Sequence, residues 1–209
     1  RLRPPYPVER GLFGLPTVVN NVETIANLPL LFREGAGAFR WRGTLDAPGT
    51  KLLSVSGRVA RPGVYEVDLG VTIADVLALA GGEDAFAVLA GGPSGGFLPA
   101  SLFETPLLPG MLLRSGAVTG SGGIVALGDV DDVRAAALAM ARFNAEESCG
   151  KCTPCREGTP RLVEALEAGD ADGMEALLEA IGAASLCGLG QMAPGPVRSA
   201  VTFWPELFR

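Results

Sequence analysis

The sequence predicts an α+β protein in which strands and helices occupy different parts of the chain. The 29 glycines and 16 prolines crowd into the first two thirds, where short apolar runs alternate with turn residues. After Asp129 the apolar residues instead recur at intervals of three and four, which is the period of a helix. With 209 residues and 48% hydrophobic content, the chain has enough apolar material for a substantial core.

Residues 46–128 are predicted to form a small β-grasp (ubiquitin-like) domain, with roughly four or five strands and one helix. The runs KLLSVSG and GVYEVDL, separated by VARPG, predict an antiparallel hairpin. Thr72 is expected to N-cap a short amphipathic helix in VTIADVLALAGG, which ends at Gly81 or Gly82. Further strands are predicted at AFAVLA, FLPASLF and GGIVALGD.

Residues 129–209 are predicted to form a four-helix bundle, because four apolar stripes follow one another with short connections. We interpret these stripes as core packing. They comprise Val133, Ala137, Met140 and Asn144; Leu162, Val163 and Leu166; Met174, Leu177, Leu178 and Ile181; and Val197, Ala200, Val201 and Trp204.

Residues 1–45 look like a segment laid over another part of the protein. Prolines and glycines are dense in the first sixteen residues and predict an extended chain, while Val22 to Leu31 looks partly helical. The sequence starts at Arg1 rather than at methionine, so we expect it to be the later part of a longer polypeptide.

The charge pattern excludes several classes of function. A net charge of -6, a pI near 4.8 and the lack of a basic stripe argue against nucleic-acid binding. The longest uncharged run, residues 85–103, is broken by glycine and proline, so no membrane insertion is expected. Histidine is absent, so the chemistry should come from cysteine or a bound cofactor. Without a secretory signal, a cytoplasmic location is expected.

The four cysteines carry the strongest functional signal. Cys149, Cys152 and Cys155 lie in ESCGKCTPCREGT, and Cys187 lies in SLCGLGQ. A CxxCxxC loop can hold three corners of a four-iron four-sulfur cluster while one remote cysteine holds the last corner. Nearby glycines let backbone N–H groups approach the sulfurs, and nearby cations offset the negative charge. These residues are Gly150, Gly158, Gly188, Gly190, Lys151 and Arg156.

Other interpretations of these motifs stay open. Two disulfides are disfavoured because cysteines three residues apart in one tight loop pair poorly. A zinc site usually uses two separate CxxC pairs, but zinc on four cysteines could stabilise a structural module that docks a partner. GGPSGGFLP invites a phosphate-loop interpretation, yet it lacks the following lysine and precedes a strand, so a tight turn is favoured.

At these residues the sequence resembles the flavoprotein subunit of respiratory complex I. The related NADH-oxidising subunits of NAD(P)-linked hydrogenases and formate dehydrogenases share this resemblance. It is carried by ESCGKCTPCREGT and SLCGLGQMAPGPV, with PTVVNNVET, SVSGRVARPGVYEV, GGPSGGFLP and GSGGIVALGD in the same order as in that family. It implies that residues 1–45 are the tail of a Rossmann-like flavin domain, residues 46–128 a β-grasp domain and residues 129–209 the cluster-binding bundle.

The resemblance also implies a function, in which NADH gives a hydride to FMN and electrons then pass singly to the cluster. Residues of PTVVNNVET would contact FMN, and another beside Cys187 would lie near the flavin. Arg3 and Tyr6 would lie beside NAD(H), with the Tyr6 ring on the adenine. From the residues alone, Arg3 and Tyr6 could belong to an exposed arm, and the asparagines could be turn or capping residues. The residues implied near the flavin are Val19, Asn20, Asn21, Thr24 and Leu189.

The implied partners are a thioredoxin-like two-iron two-sulfur subunit and a larger iron–sulfur, molybdenum or hydrogenase subunit. Two departures from the family qualify this: its glycine-rich flavin pocket would lie upstream of Arg1, and the stretch between Cys155 and Cys187 is short. The segment alone is therefore not expected to oxidise NADH. A free-standing ferredoxin-like carrier without flavin is a further alternative.

Overall fold

The computed structural model describes residues 5–108, 110–170 and 172–208. Within these ranges the protein has a mixed α+β architecture, as the sequence predicts. An N-terminal helical segment is followed by a five-stranded sheet with one helix on one face. Helices of the C-terminal part cover the other face of the sheet.

The N-terminal segment contains helix α1 (Pro7–Arg10), a 3₁₀ turn (Leu12–Gly14) and helix α2 (Val22–Arg40). The prediction of an extended chain over the first sixteen residues is wrong for the two short helical elements, since proline is well tolerated in the first turn of a helix. The predicted helix after Val22 is confirmed and is longer than expected. No residue of α1 or α2 is buried in the described chain.

The sheet begins with the predicted hairpin of β1 (Thr50–Gly57) and β2 (Gly63–Asp68), which is antiparallel. The segment VTIADVLALAGG forms the predicted helix α3 (Ile73–Ala80). Thr72 and Asp75 form a capping box at its start, and Gly81, at φ 70°, ends it. Both features confirm the sequence prediction. The buried side of α3 is the predicted one, namely Ile73, Val76, Leu77 and Ala80.

The other strands are β3 (Ala87–Ala90), β4 (Gly96–Pro99) and β5 (Gly123–Leu127), and the order across the sheet is β2-β1-β5-β3-β4. Only β1 and β5 pair in parallel among these strands. The strand predicted at FLPASLF is shorter than expected, because it stops at Pro99 and a 3₁₀ turn (Ala100–Leu102) follows. Proline has no N–H to donate to a further ladder bond.

Strand β3 shows why the sheet has two buried faces. Val88 and Ala90 belong to the core beneath α3, while Ala87 and Leu89 belong to the core shared with the C-terminal helices. Successive side chains of a strand point to opposite faces, so both sets are covered and β3 is an unbroken apolar run.

After a short helix α4 (Met111–Arg114), the C-terminal part contains α5 (Val130–Glu146), α6 (Thr153–Ala168), α7 (Met174–Ala184), α8 (Gly188–Met192) and α9 (Pro194–Phe203). A 3₁₀ turn (Pro205–Phe208) follows. Helix α5 packs on α6 and α9, and α7 packs on α6, α8 and α9. The predicted stripes face this core, although Met140, Val163, Leu177 and Val201 are only partly buried. Sequence reasoning did not foresee α8.

The helices are fixed to the sheet at α9. Ser199 Oγ accepts a hydrogen bond from the Phe97 backbone N–H at 2.8 Å, and both residues are buried. A Cβ on Gly195 would lie 2.6 Å from the Gly95 carbonyl oxygen, so only glycine permits this approach of α9 to the β3–β4 turn. None of the described helices combines the length and apolar character needed to cross a membrane.

Glu23 joins α2 to strand β1 of the sheet. Its carboxylate accepts hydrogen bonds from Lys51 Nζ and, at 2.9 Å, from the Leu52 backbone N–H. Partial burial raises the pKa of Glu23, but the two hydrogen bonds and the Lys51 charge outweigh burial, and the pKa lies below 4.5.

Because the pKa of Glu23 is depressed in the folded state, its contribution is complete above pH 4.5 and is lost as pH falls through the lower folded value. We expect the protection of the Leu52 amide against hydrogen exchange, relative to its intrinsic rate at each pH, to fall in that acidic range. Glu23→Gln should already show lower protection at neutral pH and lose this acid dependence. Identical pH profiles for the two proteins would contradict the assignment.

Candidate metal centre

Three cysteines lie between α5 and the first turn of α6. The loop turns at Gly150, whose φ of 75° favours glycine, and Cys152 is the N-cap residue of α6. Pro154 lies in the first turn of that helix, where its missing N–H costs nothing. Cys149 is exposed, Cys152 is partly buried and Cys155 is buried in the first turn of α6.

The fourth cysteine lies in the loop between α7 and α8. Helix α7 ends at Ala184, Ser185 is extended, and the exposed Cys187 is the N-cap residue of α8. The Ser185 carbonyl oxygen accepts a hydrogen bond from Gln191 Nε2 at 3.2 Å, which ties the start of this loop to α8.

The two cysteine loops meet closely. The Leu186 backbone N–H lies within hydrogen-bond reach of the Cys152 thiol. A Cβ on Gly190 would lie 2.4 Å from Ser185 Oγ and 3.1 Å from the Cys155 Cβ. Glycine at this position therefore lets α8 press against both loops, so the loop with Cys152 and Cys155 meets the loop that leads to Cys187.

The thiols affect one another electrostatically. Burial raises the pKa of Cys155, as do the neighbouring Cys152, Cys187 and Cys149, and the Ser148 hydroxyl opposes this rise. The pKa of Cys152 is lowered, above all by the Leu186 N–H. Metal ligands must be thiolates, so bound iron would relieve the unfavourable accumulation of negative charge at Cys155.

Two serines beside the cysteines were missed by sequence reasoning. Ser148 Oγ lies 3.3 Å from Cys155 Sγ and accepts a hydrogen bond from the Gly150 N–H. Ser185 is buried next to the same loop. Both serines lie shortly before a cysteine, in ESC and SLC, and this position could have indicated their role. Short polar side chains next to metal ligands often contact the ligand atoms.

Arg156, expected to offset negative charge, has defined contacts. Its Nη1 donates to the Gly150 carbonyl oxygen at 3.1 Å and its Nε donates to Glu157 at 2.8 Å. Since the guanidinium is paired with a carboxylate, its main visible role is to hold the cysteine loop on α6.

The donor set fits an iron–sulfur group. All four cysteines are free thiols, and cysteine thiolates are the usual ligands of four-iron four-sulfur clusters. The buried Ser185 hydroxyl lacks a partner among the described residues and Gly190 leaves room for close approach, two features that suit a bound group. Within the described ranges, no three acidic or cysteine side chains are arranged to hold one metal ion.

The residues implied to contact FMN lie on two elements. Val19, Asn20 and Thr24 are exposed at and before the start of α2, whereas Leu189 is half-buried on α8. Asn21 is the N-cap residue of α2, and its Oδ1 accepts from the Glu23 N–H at 2.8 Å. The capping role considered from the sequence is therefore confirmed for Asn21.

Of the two residues implied to contact NAD(H), Arg3 lies outside the described residues. Tyr6 is about half exposed and precedes α1, with its carbonyl oxygen accepting from the Glu9 and Arg10 N–H groups.

The N-terminal segment presents an apolar surface, which we call the N-terminal apolar surface. Each of its residues is more than two thirds exposed, and this many exposed large apolar residues in one segment is typical of a region that another structure covers. It consists of Phe13 (90% exposed), Val18 (80%), Val19 (72%), Val22 (82%) and Phe32 (86%).

The glycine-rich sequence GGPSGGFLP forms a turn between the antiparallel strands β3 and β4, as predicted. Asn144 Nδ2 donates to the Pro93 carbonyl oxygen at 3.0 Å, which holds this turn against α5. A strand rather than a helix follows the turn, so it lacks the helix N-terminus that a phosphate loop uses.

Comparison with known proteins identifies two regions of the chain. Residues 135–209 match the NADH-ubiquinone oxidoreductase-F iron-sulfur binding region, and residues 52–98 match the SLBB domain. The first match contains all four cysteines of the site.

Curated relatives match the chain over nearly its whole length. NADP-reducing hydrogenase subunit HndC of Solidesulfovibrio fructosivorans is 37% identical over 95% of this chain and 43% of its own length. NAD-reducing hydrogenase HoxS subunit alpha of Cupriavidus necator is 40% identical over 100% of this chain and 35% of its own. A subunit of the NADH-quinone oxidoreductase of Aquifex aeolicus is 38% identical over 99% of this chain and 50% of its own.

The fold agrees with these relationships. A crystal structure of NAD+-reducing NiFe-hydrogenase in the H2-reduced state superposes with a TM-score of 0.85 and 40% identity, covering 100% of this chain and 37% of that chain. The chain is therefore similar to NADH-quinone oxidoreductase and NAD-reducing hydrogenase subunits, and it corresponds to their C-terminal part. It spans between 35% and 50% of the length of the three curated relatives.

The crowding at Gly190 gives a direct test of the site. Gly190→Ala should lower the iron content of the anaerobically purified protein several-fold, because its methyl group would displace Ser185 and Cys155. Gly188→Ala is the matched control, since a Cβ at Gly188 meets no atom within 4 Å. Equal iron loss in both variants would contradict the described packing at Gly190, and so would full iron content in both.

Proposed function

We propose that this chain is the electron-transfer part of an NADH-oxidising flavo-iron–sulfur subunit, in which Cys149, Cys152, Cys155 and Cys187 hold a four-iron four-sulfur cluster. One observation carries the proposal: two loops distant in sequence, which carry four free thiols, pack against each other inside the region that matches an iron–sulfur binding family. A bound cluster of this kind accepts and releases one electron at a time.

The residues around the thiols would hold and tune this group. Cys155 supplies a ligand from within the protein, while the exposed Cys149 and Cys187 leave one side open to an electron donor or acceptor. The Leu186 N–H beside Cys152 would stabilise thiolate charge in both redox states.

We also propose the three-part organisation expected from the sequence. Residues 46–128 form the β-grasp domain, and residues 129–209 form the cluster-binding helical bundle. Residues 1–45 are the tail of a flavin domain, which would cover the N-terminal apolar surface. Support comes from the exposure of that surface and from the larger size of the relatives.

The flavin and nicotinamide contacts follow from that organisation. FMN would lie against the start of α2, and Leu189 would approach it from α8. NAD(H) would lie near Arg3 and Tyr6. The exposure of the α2 residues is compatible with cofactor contact. The residues proposed to contact FMN from the start of α2 are Val19, Asn20, Asn21 and Thr24.

The partners we propose are a thioredoxin-like two-iron two-sulfur subunit and a larger iron–sulfur, hydrogenase or molybdenum subunit. Relatives named as hydrogenase and quinone oxidoreductase subunits support partner subunits in general. We propose a cytoplasmic location, on its own or on the cytoplasmic side of a membrane complex, because reducing conditions there preserve free thiols.

The metal content decides between the cluster and a zinc module. We expect about four iron and four acid-labile sulfide per chain, with absorption near roughly 400 nm from sulfur-to-iron charge transfer. Cys187→Ala should lose most of both, whereas the neighbouring Leu186→Ala should retain them, because Leu186 is 74% exposed. A colourless protein containing zinc would overturn the proposal and favour the structural module.

Reduction by NADH tests the flavin assignment separately. Dithionite should reduce the cluster of the 209-residue chain directly, and NADH should not. NADH should reduce the same cluster in the full-length protein loaded with FMN. Rapid reduction of the 209-residue chain by NADH without flavin would contradict the proposed need for a further domain, while leaving the cluster assignment intact.

A further inference from the structure

Ser185 carries a buried hydroxyl without a hydrogen-bond partner. Only 5% of the residue is exposed, and its Oγ bonds to none of the described residues. Two other buried hydroxyls of the C-terminal helices are satisfied: Thr159 donates to the Cys155 carbonyl oxygen at 2.8 Å, and Ser199 bonds both Phe97 and Pro196. An unsatisfied buried hydroxyl costs free energy, so the missing partner requires an explanation.

The surroundings of Ser185 show which way the hydroxyl faces. A Cβ on Gly190 would lie 2.4 Å from its Oγ and 3.1 Å from the Cys155 Cβ, so the hydroxyl and Cys155 lie on the same side of α8. The Cys152 thiol is also near, since hydrogen bonding with the Ser185 hydroxyl is among the causes that lower the pKa of that thiol. The backbone fixes this position, because Gln191 holds the Ser185 carbonyl oxygen.

We propose that the Ser185 hydroxyl donates a hydrogen bond to a sulfur atom of the iron–sulfur site and thereby raises its reduction potential. The acceptor would be a Cys152 or Cys155 thiolate, or a sulfide of the cluster beside them. This inference rests on the proposed function. It gives Ser185, which is not one of the four ligands, the role of raising the reduction potential of the cluster.

The sign of the effect follows from charge. Reduction adds one negative charge to the cluster and its thiolates, and hydrogen bonds to charged acceptors are stronger than those to neutral ones. A donor fixed beside the sulfurs therefore stabilises the reduced state more than the oxidised state. Ser148, the other serine near the site, differs because its Oγ already has two partners, Cys155 Sγ at 3.3 Å and the Gly150 N–H.

The test is a redox titration of the cluster in the full-length protein, followed by electron paramagnetic resonance under anaerobic conditions. Ser185→Ala and Ser185→Gly remove the hydroxyl, and Ser185→Thr retains it. At the midpoint potential of the wild type, we expect the ratio of reduced to oxidised cluster to fall about tenfold in the alanine and glycine variants. This corresponds to a midpoint potential lower by ~59 mV for a one-electron couple. The threonine variant should stay near wild type.

A second readout reports the hydrogen bond itself. Electron–nuclear double resonance should show one exchangeable proton coupling in the wild type that both hydroxyl-free variants lack. Thr202→Ala is the matched control, because it removes a hydroxyl of α9 that donates to the Arg198 carbonyl oxygen of the same helix and should leave potential and couplings unchanged.

The inference is overturned if the alanine or glycine variant holds a full cluster at the wild-type potential. It is also overturned if threonine shifts the potential as far as alanine, or if all three variants fail to load iron while remaining folded. Loss of the cluster in the alanine and glycine variants alone would support a direct contact. A wild-type protein without any iron–sulfur signal would instead count against the proposed function.

Discussion

The close approach of α8 to the two cysteine loops is the constraint on which the site depends. Gly190 has no side chain, and this lets the Ser185 hydroxyl and Cys155 pack against the same turn of backbone. The Leu186 N–H, in the loop just before α8, also interacts with the Cys152 thiol, so the two cysteine loops contact each other directly as well. A chain with the same cysteine spacing but a larger residue at this point would hold its thiols farther apart.

That approach is possible because the helices are anchored elsewhere. Helix α9 is fixed to the sheet through Ser199 and Phe97, and α7 packs on both α9 and α8. The shared core joins β3 and β4 to the C-terminal helices, so the position of α8 follows from the sheet. Sites carried on rigid elements keep their ligand geometry, which limits reorganisation when charge changes.

Much of this arrangement could be predicted from the sequence, because local signals agree with the fold. The capping box at Thr72 and Asp75, the hairpin and the helical stripes are short-range patterns, and the CxxCxxC spacing predicts a ligand loop. The short helix α8 was missed because prolines and glycines around it hide a five-residue helix. The burial of Ser185 depends on packing between distant segments, which no local pattern reports.

The exposure of the ligands adds a direction to the site. Cys155 faces the core, whereas Cys149 and Cys187 are exposed together with Leu186. Electron transfer requires donor and acceptor to come near the cluster, and the open side is where such an approach is sterically possible. The buried side has the opposite property: there a fixed donor such as Ser185 would act in low dielectric, where its effect on the potential is least weakened by water. Under the proposed function, the face that exchanges electrons is therefore separate from the face that sets the reduction potential.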